Sequence, residues 1–168
     1  MAAILETARL LLREFTVDDT AFIIELVNSP GWIQFIGDRN IKTVEQARNY
    51  LENGPIKSYR ENGFGLFMVE VKEDGTPVGM CGILKRESLE NPDIGFAFLP
   101  AFTGKGLAFE IASSTLLYAK EKLNLPVIFA ITNPENKRSI NLLEKIGMTF
   151  IRTIKSIPDN KELMLFSN

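Results

Sequence analysis

The stretch LPAFTGKGLAFE, residues 99–110, joins an apolar run to a long amphipathic run through two glycines and a lysine. The apolar run DIGFAFL, 93–99, predicts a strand, and the residues after the glycines predict a helix that ends near Leu123. Glycines permit a tight turn and let a ligand approach the backbone closely. Because main-chain N–H groups at a helix N-terminus attract anions, this turn is a candidate site for a diphosphate.

Two common nucleotide-binding patterns do not fit this turn. A Walker loop requires a glycine five residues before the glycine of Gly-Lys and a hydroxyl after the lysine, but Leu99 and Gly106 occupy those positions. A dinucleotide fingerprint that starts at Gly104 requires glycine or alanine where Phe109 stands, and strand 127–132 lacks a terminal acid. Two interpretations therefore stay open: an anion site, or a turn that only connects a strand to a helix.

Composition restricts the class of protein. The chain has 168 residues, 45% apolar and 24% charged, with a net charge of −2, and we expect one domain over 1–168. The sequence has no apolar run of roughly 20 residues and no basic leader, so we expect no membrane partner, no signal peptide and a cytoplasmic location. The single cysteine, Cys81, is expected to be a buried thiol. Because basic and acidic residues are interspersed, we expect no nucleic-acid partner.

The sequence contains no histidine. Nucleophiles paired with histidine and metal sites that contain histidine are therefore excluded, and we expect no metal. Proton transfer near neutral pH must use carboxylates, hydroxyls, water or the substrate's own groups. This excludes most hydrolase mechanisms.

The first half of the chain predicts a strand, helices and a hairpin. Residues 8–15 predict a strand, 16–29 a helix capped by Thr16, and 31–39 a short helix or turn. Residues 43–63 predict a helix with a capping box at Thr43 and Gln46 and an interruption at Gly54-Pro55. Residues 64–86 predict a hairpin around Asp74-Gly75.

The second half predicts alternating strands and helices. Strands are expected at 127–132, 148–154 and 161–166, with a helix over 133–147 that ends at Gly147. The complete order predicts an α+β fold, in which helices cover both faces of a mixed, mostly antiparallel sheet.

Three segments, in this order, resemble one known family. They are ETARLLLREFTVDD (6–19), DIGFAFLPAFTGKGLAFE (93–110) and NPENKRSINLLEKIGM (133–148). Together they are similar to the GNAT superfamily of acetyl-CoA-dependent N-acetyltransferases, above all to its ribosomal-protein-alanine acetyltransferase branch. The family pattern Arg/Gln-x-x-Gly-x-Gly/Ala is represented by Thr103, Gly106 and Ala108. The resemblance covers nearly the whole chain and implies splayed central strands.

The resemblance also implies a cofactor site for acetyl-CoA. The amides of the glycine turn would bind the pyrophosphate, and pantetheine would lie between strands 93–99 and 127–132. An N–H near Phe98 would polarise the thioester carbonyl, and Ser139 would lie near the sulfur. The implied cofactor-binding residues are Phe98, Leu99, Thr103, Gly104, Lys105, Gly106, Leu107, Ala108, Asn136 and Ser139.

The sequence departs from the family pattern at two positions. Thr103 replaces the usual Arg or Gln, and we expect its hydroxyl to cap the following helix. Leu143 stands where many relatives carry a tyrosine that protonates the departing thiolate, and Ser139 is expected to support the thiolate instead. Asp93 is the first choice for the general base, with a surface acid in a turn as the alternative. Glu110 is expected to order structure.

The resemblance implies a primary amine as acceptor, either a protein N-terminal α-amine or a small-molecule amine. An α-amine, with a pKa of about 8, is neutral at pH 7 more often than a lysine at about 10.4. The predicted acceptor-binding residues are Trp32, Phe35, Gly37 and Asp38, where Asp38 would anchor a cation or pair with Arg39.

Three further expectations complete the interpretation. Thr103 and Leu143 raise the alternative of a catalytically weak or inactive coenzyme A-binding module. A nucleotide binder that resembles a phosphate loop is the third hypothesis. Exposed sheet edges near the C-terminus permit a homodimer.

Overall fold

The chain forms an open sheet of eight strands with helices on both faces, as a computed structural model that describes residues 2–168 shows. The strands are β1 (Leu5–Glu6), β2 (Leu10–Arg13), β3 (Leu66–Val71), β4 (Pro77–Leu84), β5 (Asp93–Phe98), β6 (Phe129–Thr132), β7 (Thr149–Lys155) and β8 (Glu162–Ser167). The helices are α1 (Thr20–Val27), α2 (Pro30–Phe35), α3 (Val44–Leu51), α4 (Lys57–Asn62), α5 (Leu107–Glu121) and α6 (Lys137–Lys145).

The strand order in space is β1-β2-β3-β4-β5-β6-β8-β7. Every neighbouring pair is antiparallel except β5 and β6, which are parallel. The predicted α+β fold with a mostly antiparallel mixed sheet is therefore confirmed. β7 forms one edge of the sheet and is largely exposed, and the homodimer inferred from such edges stays a prediction.

Two apolar cores lie on opposite faces of the sheet. On one face Ile111 and Ala112 of α5 pack with Leu12 of β2 in a buried cluster. On the other face Ile23 of α1 packs with Met80 of β4 in a second cluster, which α3 also joins. Full burial of one such side chain contributes roughly 1.5–3 kcal/mol, so both layers hold the central strands in place.

Short-range sequence signals correctly predict several local structures. Thr43 and Gln46 form the capping box at the start of α3, and Gly147 follows α6 with a φ of +91°. Asp74-Gly75 closes the β3–β4 hairpin, where Gly75 has a φ of +74°. The predicted interruption at Gly54-Pro55 is a π-helical segment, Glu52–Ile56, that joins α3 to α4.

The start of α1 was predicted incorrectly. Thr16 does not cap the helix, which begins at Thr20 with Asp19 as its N-cap residue. The Thr16 hydroxyl accepts from the Asp18 N–H at 3.2 Å, while Asp19 accepts from the Thr16 N–H at 2.8 Å and pairs with Arg13. These bonds form a turn before the helix, so the helix starts four residues later than predicted.

Three other boundaries differ from the predictions. The strand predicted at 8–15 is β2, which covers only Leu10–Arg13. A two-residue strand that was not predicted, β1, precedes it across a turn in which the Thr7 N–H donates to the Leu10 carbonyl at 2.9 Å. β6 begins at Phe129 rather than at 127. α6 begins at Lys137 rather than at 133, because a turn in which the Asn136 N–H donates to the Asn133 carbonyl precedes it.

None of the helices within residues 2–168 has the length and apolar character that crossing a bilayer requires.

Candidate active site

The central parallel strands touch at a single point and then separate. Their register contains one pair, Asp93 opposite Phe129, and the Phe129 N–H donates to the Pro92 carbonyl at 2.8 Å. Beyond this point β5 continues its ladder with β4, whereas β6 continues with β8. Since each strand is held by its outer neighbour, a wedge opens between them, as the predicted splay requires.

The inner edges of this wedge carry main-chain groups available to a ligand. The Leu99 N–H donates to the Val78 carbonyl of β4 at 2.9 Å. Because the N–H groups of successive residues point to opposite edges of a strand, the polar groups of Phe96 and Phe98 face β6. The same alternation directs those of Ile131 toward β5, because the Ile128 carbonyl accepts from Asn168 on the β8 side at 3.1 Å.

The glycine turn at the end of β5 leads into α5 through two left-handed residues. Gly104 and Gly106 have φ angles of +76° and +77°, a backbone conformation that favours glycine. The first hydrogen bond of α5 runs from the Glu110 N–H to the Gly106 carbonyl at 3.1 Å. The N–H groups of the first three helical residues, 107–109, therefore have no intrahelical partner and are available to an anion.

A cavity of about 440 Å³ lies beside this turn. Six of the predicted cofactor-binding residues line it, namely Phe98, Thr103, Gly104, Gly106, Leu107 and Ala108. The other four do not: Asn136 and Ser139 line a second cavity, described below, Leu99 is buried in the core that contains α1, and the Lys105 ammonium lies 5.6 Å from the ring centre of Phe102.

Two basic residues of α6 complete the wall of this smaller cavity. Arg138 and Lys145 line it together with Asn141 and Leu142. Within the described part of the chain neither cation belongs to an ion pair. The sequence analysis missed both, although the two cations are about two helical turns apart, which places them on one face of α6.

The prediction that Thr103 caps α5 is wrong. Its hydroxyl donates to the Pro100 carbonyl at 2.9 Å and closes the 3-10 turn, Pro100–Phe102, that follows β5. Gly106, three residues later, holds the N-cap position. The hydroxyl is therefore occupied before the helix begins.

Glu110 connects α5 to the N-terminal hairpin. Its carboxylate accepts from the Thr7 hydroxyl at 2.5 Å, from the Arg9 N–H at 2.9 Å and from Arg9 Nε at 2.8 Å. Burial opposes ionisation, but these hydrogen bonds lower the pKa of Glu110 below its ordinary value. Arg9 also donates to the Lys105 carbonyl at 3.1 Å, so the predicted ordering role of Glu110 extends to the glycine turn.

A larger cavity, of about 910 Å³, occupies the wedge and the groove beyond it. Asn136, Ser139 and Leu143 line it from α6. Asn136 caps that helix, because its Oδ1 accepts from the Ser139 N–H at 3.2 Å. Leu143 also belongs to the apolar core and is 1% exposed. The Ser139 hydroxyl, by contrast, bonds to no other described residue and is free to bind a ligand.

Asp93 lies where β5 and β6 meet and is 1% exposed. Both of its oxygens accept from Nε of Arg86, at 3.0 and 3.2 Å. Burial raises the pKa of Asp93 to about 6, although Arg86 opposes the shift. Asp93 is thus a buried carboxylate rather than the surface acid that the alternative interpretation described.

Trp32 and Phe35, two of the residues predicted from sequence to bind the acceptor, line the larger cavity. Trp32 is 6% exposed, its Nε1 has no hydrogen-bond partner in residues 2–168, and the Arg39 guanidinium lies 5.9 Å from its ring. Gly37 and Asp38 are not among the described residues that line this cavity. Asp38 instead lies 4.0 Å from Lys42 rather than pairing with Arg39.

Cys81 is fully buried, as predicted, and burial raises the pKa of its thiol to about 12. It therefore stays protonated and unreactive at neutral pH. Over residues 2–168 no group of three or more Asp, Glu or Cys side chains is arranged to hold a metal ion.

Known proteins are similar to this chain in sequence. The sequence pattern of the acetyltransferase (GNAT) domain matches residues 9–149. The uncharacterized protein YkkB of Bacillus subtilis is 31% identical, with 90% of this chain and 88% of that protein covered. The uncharacterized N-acetyltransferase YnaD of the same organism is 29% identical, over 84% and 80%.

Solved structures share the fold at low sequence identity. A ribosomal L7/L12 α-N-protein acetyltransferase in complex with coenzyme A superposes with a TM-score of 0.84 at 13% identity, over 99% of this chain and 97% of that chain.

Proposed function

Because the chain belongs to the GNAT acetyltransferase family, and is thus an acetyl-CoA-dependent N-acetyltransferase, we propose that it transfers acetyl directly to a primary amine in a ternary complex. The observation that carries this proposal is the wedge between β5 and β6, which meet only at Asp93 and Phe129. The donor supplies its acetyl group as an activated thioester. β5 lines both cavities, through Phe96 and Ala97 in the larger one and Phe98 in the smaller one beside the glycine turn, which supports donor and acceptor being held together.

The smaller cavity suits the phosphate groups of the donor. Free N–H groups at residues 107–109 and the cations Arg138 and Lys145 face one space. A methyl group built on Gly104 would meet no atom within 4 Å, so the backbone is open to an approaching anion. We propose that Arg138 and Lys145 supply the positive charge that Thr103 does not provide.

The inner edge of β5 suits the pantetheine arm and the reacting carbonyl. An extended chain that lies in the wedge would pair with the unpaired groups of Phe96 and Phe98, as an added strand does. We propose that the Phe98 N–H stabilises the negative charge that develops on the carbonyl oxygen during attack. Ser139 would donate its hydroxyl to the departing thiolate, for which a thiol pKa of about 8.5 requires little further acid.

Asp93 is the proposed proton acceptor. It lies at the closed end of the wedge and, with a pKa of about 6, is largely ionised at neutral pH. Since Arg86 occupies one side of the carboxylate, we propose that the proton reaches it through water.

For the acceptor we propose an amine of which a substantial fraction of molecules is unprotonated near pH 7, either a peptide N-terminus or a small-molecule amine. The likeness to a protein that acetylates an α-amine supports the first option. Trp32 and Phe35 would form the apolar wall beside the amine.

The test of this proposal is a thiol-release assay with purified protein, acetyl-CoA and a panel of peptides and small amines. We expect release of free coenzyme A only when an amine is present, with the acetylated product identified by mass. Tight binding of coenzyme A without amine-dependent release would instead indicate the inactive binding module, which the free Ser139 hydroxyl and the open wedge do not favour.

A further inference from the structure

The larger cavity carries more positive than negative charge. Four acidic side chains line it, Glu61, Glu90, Asp93 and Asp159, against seven basic ones, although the whole chain has a net charge of −2. The cavity is therefore electrostatically opposite to the rest of the molecule.

Two of the four acids are already paired with cavity cations. Asp93 accepts from Arg86, and Glu61 lies 3.8 Å from Lys57. Only Glu90 and Asp159 are left to balance five further cations. Within residues 2–168 none of those five belongs to an ion pair.

Three of the five cations lie on one element, the β7–β8 hairpin. Arg152 and Lys155 belong to β7, and Lys161 precedes β8, while Asp159 is the single acid of that wall. Their side chains are exposed to the groove. A cleft that holds charges of one sign focuses its field on a ligand of the opposite sign.

Arg86 adds a fixed cation at the closed end of the wedge. Its Nε is held by the buried carboxylate of Asp93 at 3.0 Å, and no other described residue accepts from its remaining guanidinium nitrogens. These nitrogens are available to a planar anion such as a carboxylate or to a phosphate.

We propose, on the basis of the acetyltransferase function above, that the acceptor is an amine that carries an acidic group, a carboxylate or a phosphate, on the same molecule. The hairpin cations Arg152, Lys155 and Lys161 attract this group, and Arg86 is positioned to bind it near the reacting amine. A polyamine or a basic peptide is repelled by the same wall. Asp38, for which the sequence left open an anchor for a cation or a pair with Arg39, does not line this cavity and lies close to Lys42.

The experiment compares three peptide amides that differ only in charge: Ala-Glu-Glu, Ala-Gln-Gln and Ala-Arg-Arg. None has a side-chain amine that could be acetylated. Thiol release gives kcat/KM for each peptide, and calorimetry with the coenzyme A complex gives binding without turnover. L-aspartate and spermidine serve as a small acidic amine and a small basic amine.

We expect kcat/KM and affinity for Ala-Glu-Glu amide to exceed those for Ala-Arg-Arg amide by roughly tenfold or more. The double variant Arg152→Gln/Lys155→Gln should reduce this ratio to about threefold or less, mainly through KM. The control Lys120→Gln/Lys122→Gln removes the same charge from the exposed end of α5, outside both cavities, and should leave the ratio unchanged.

The outcomes separate the two proposals. Equal or better acetylation of Ala-Arg-Arg amide or spermidine overturns the acidic acceptor and leaves the acetyltransferase proposal intact. Charge-selective binding without any acetyl transfer supports the acidic ligand but overturns direct transfer. Acetylation of aspartate but not of the acidic peptide would assign the site to small molecules.

Discussion

At the scale of single residues, Asp93 has a buried carboxylate, which we propose is the proton acceptor. Burial raises its pKa to about 6, so the ionised form that accepts a proton is lost as the pH falls through that value. We predict that kcat/KM of the wild-type enzyme declines below about pH 6 and that Asp93→Asn removes this limb along with most of the activity. The measurement is a pH–rate profile with one peptide acceptor.

A second variant separates proton transfer from packing at this position. Because Arg86 lowers the pKa of Asp93, the Arg86→Gln variant should retain the acidic limb of the pH–rate profile but shift it to higher pH. An unchanged limb in Asp93→Asn would assign it to another group.

Ser139 is the second residue with a proposed chemical role. Its hydroxyl lines the larger cavity and bonds to no other described residue. If it donates to the thiolate, Ser139→Ala should reduce kcat by roughly 10- to 100-fold while KM for acetyl-CoA stays nearly constant. Wild-type turnover would contradict this role. Ser114→Ala, on α5 and outside both cavities, provides the control.

At the scale of elements, the turn between β5 and α5 can be tested with a pair of glycines. Gly104 and Gly75 have φ angles of +76° and +74°, and a methyl group on either would meet no atom within 4 Å. Alanine at either position should therefore cost a similar amount of folding free energy, about 1–2 kcal/mol.

Only Gly104 lies at the smaller cavity, whereas Gly75 closes the distant β3–β4 hairpin. We predict that Gly104→Ala raises KM for acetyl-CoA by roughly tenfold and that Gly75→Ala does not, because only the first methyl group faces the phosphate space. Steady-state kinetics together with the denaturation midpoints measure both effects. Equal KM values for acetyl-CoA in the two variants would show that the glycine turn has no part in cofactor binding.

At the scale of the whole molecule, cofactor binding should stabilise the fold. At about 100 times its Kd a ligand adds ~2.7 kcal/mol, which for a chain of this size raises Tm by about 5–10 °C. We predict such a shift with coenzyme A and a smaller one with ATP. A larger shift with ATP would instead support a nucleotide binder.

The same measurement tests Arg138, one of the two α6 cations that line the smaller cavity. Arg138→Ala should weaken coenzyme A binding by roughly 3- to 10-fold and reduce the Tm shift accordingly. Lys137→Ala is the matched control, since the neighbouring Lys137 lines neither cavity. Equal shifts in the two variants would remove Arg138 from the phosphate site.

The sequence by itself determined structures that close within a few residues. The capping box at Thr43 and Gln46, the hairpin at Asp74-Gly75 and the glycine turn before α5 each depend on local hydrogen bonds and backbone conformation. The resemblance of three sequence segments to the GNAT superfamily predicted the family and its acetyl donor, acetyl-CoA. The roles of individual site residues are still predictions.

Only the tertiary structure decided that β5 and β6 separate and which residues line the two cavities. β5 and β6 separate because β4 and β8 hold their outer edges, and β8 is the last strand of the chain. The larger cavity brings together Arg86 and Arg152, which are far apart in sequence, and the smaller cavity brings together Gly104 and Arg138. Such residues become neighbours because different helices and strands pack together. The spacing of residues within one segment of sequence does not predict this packing.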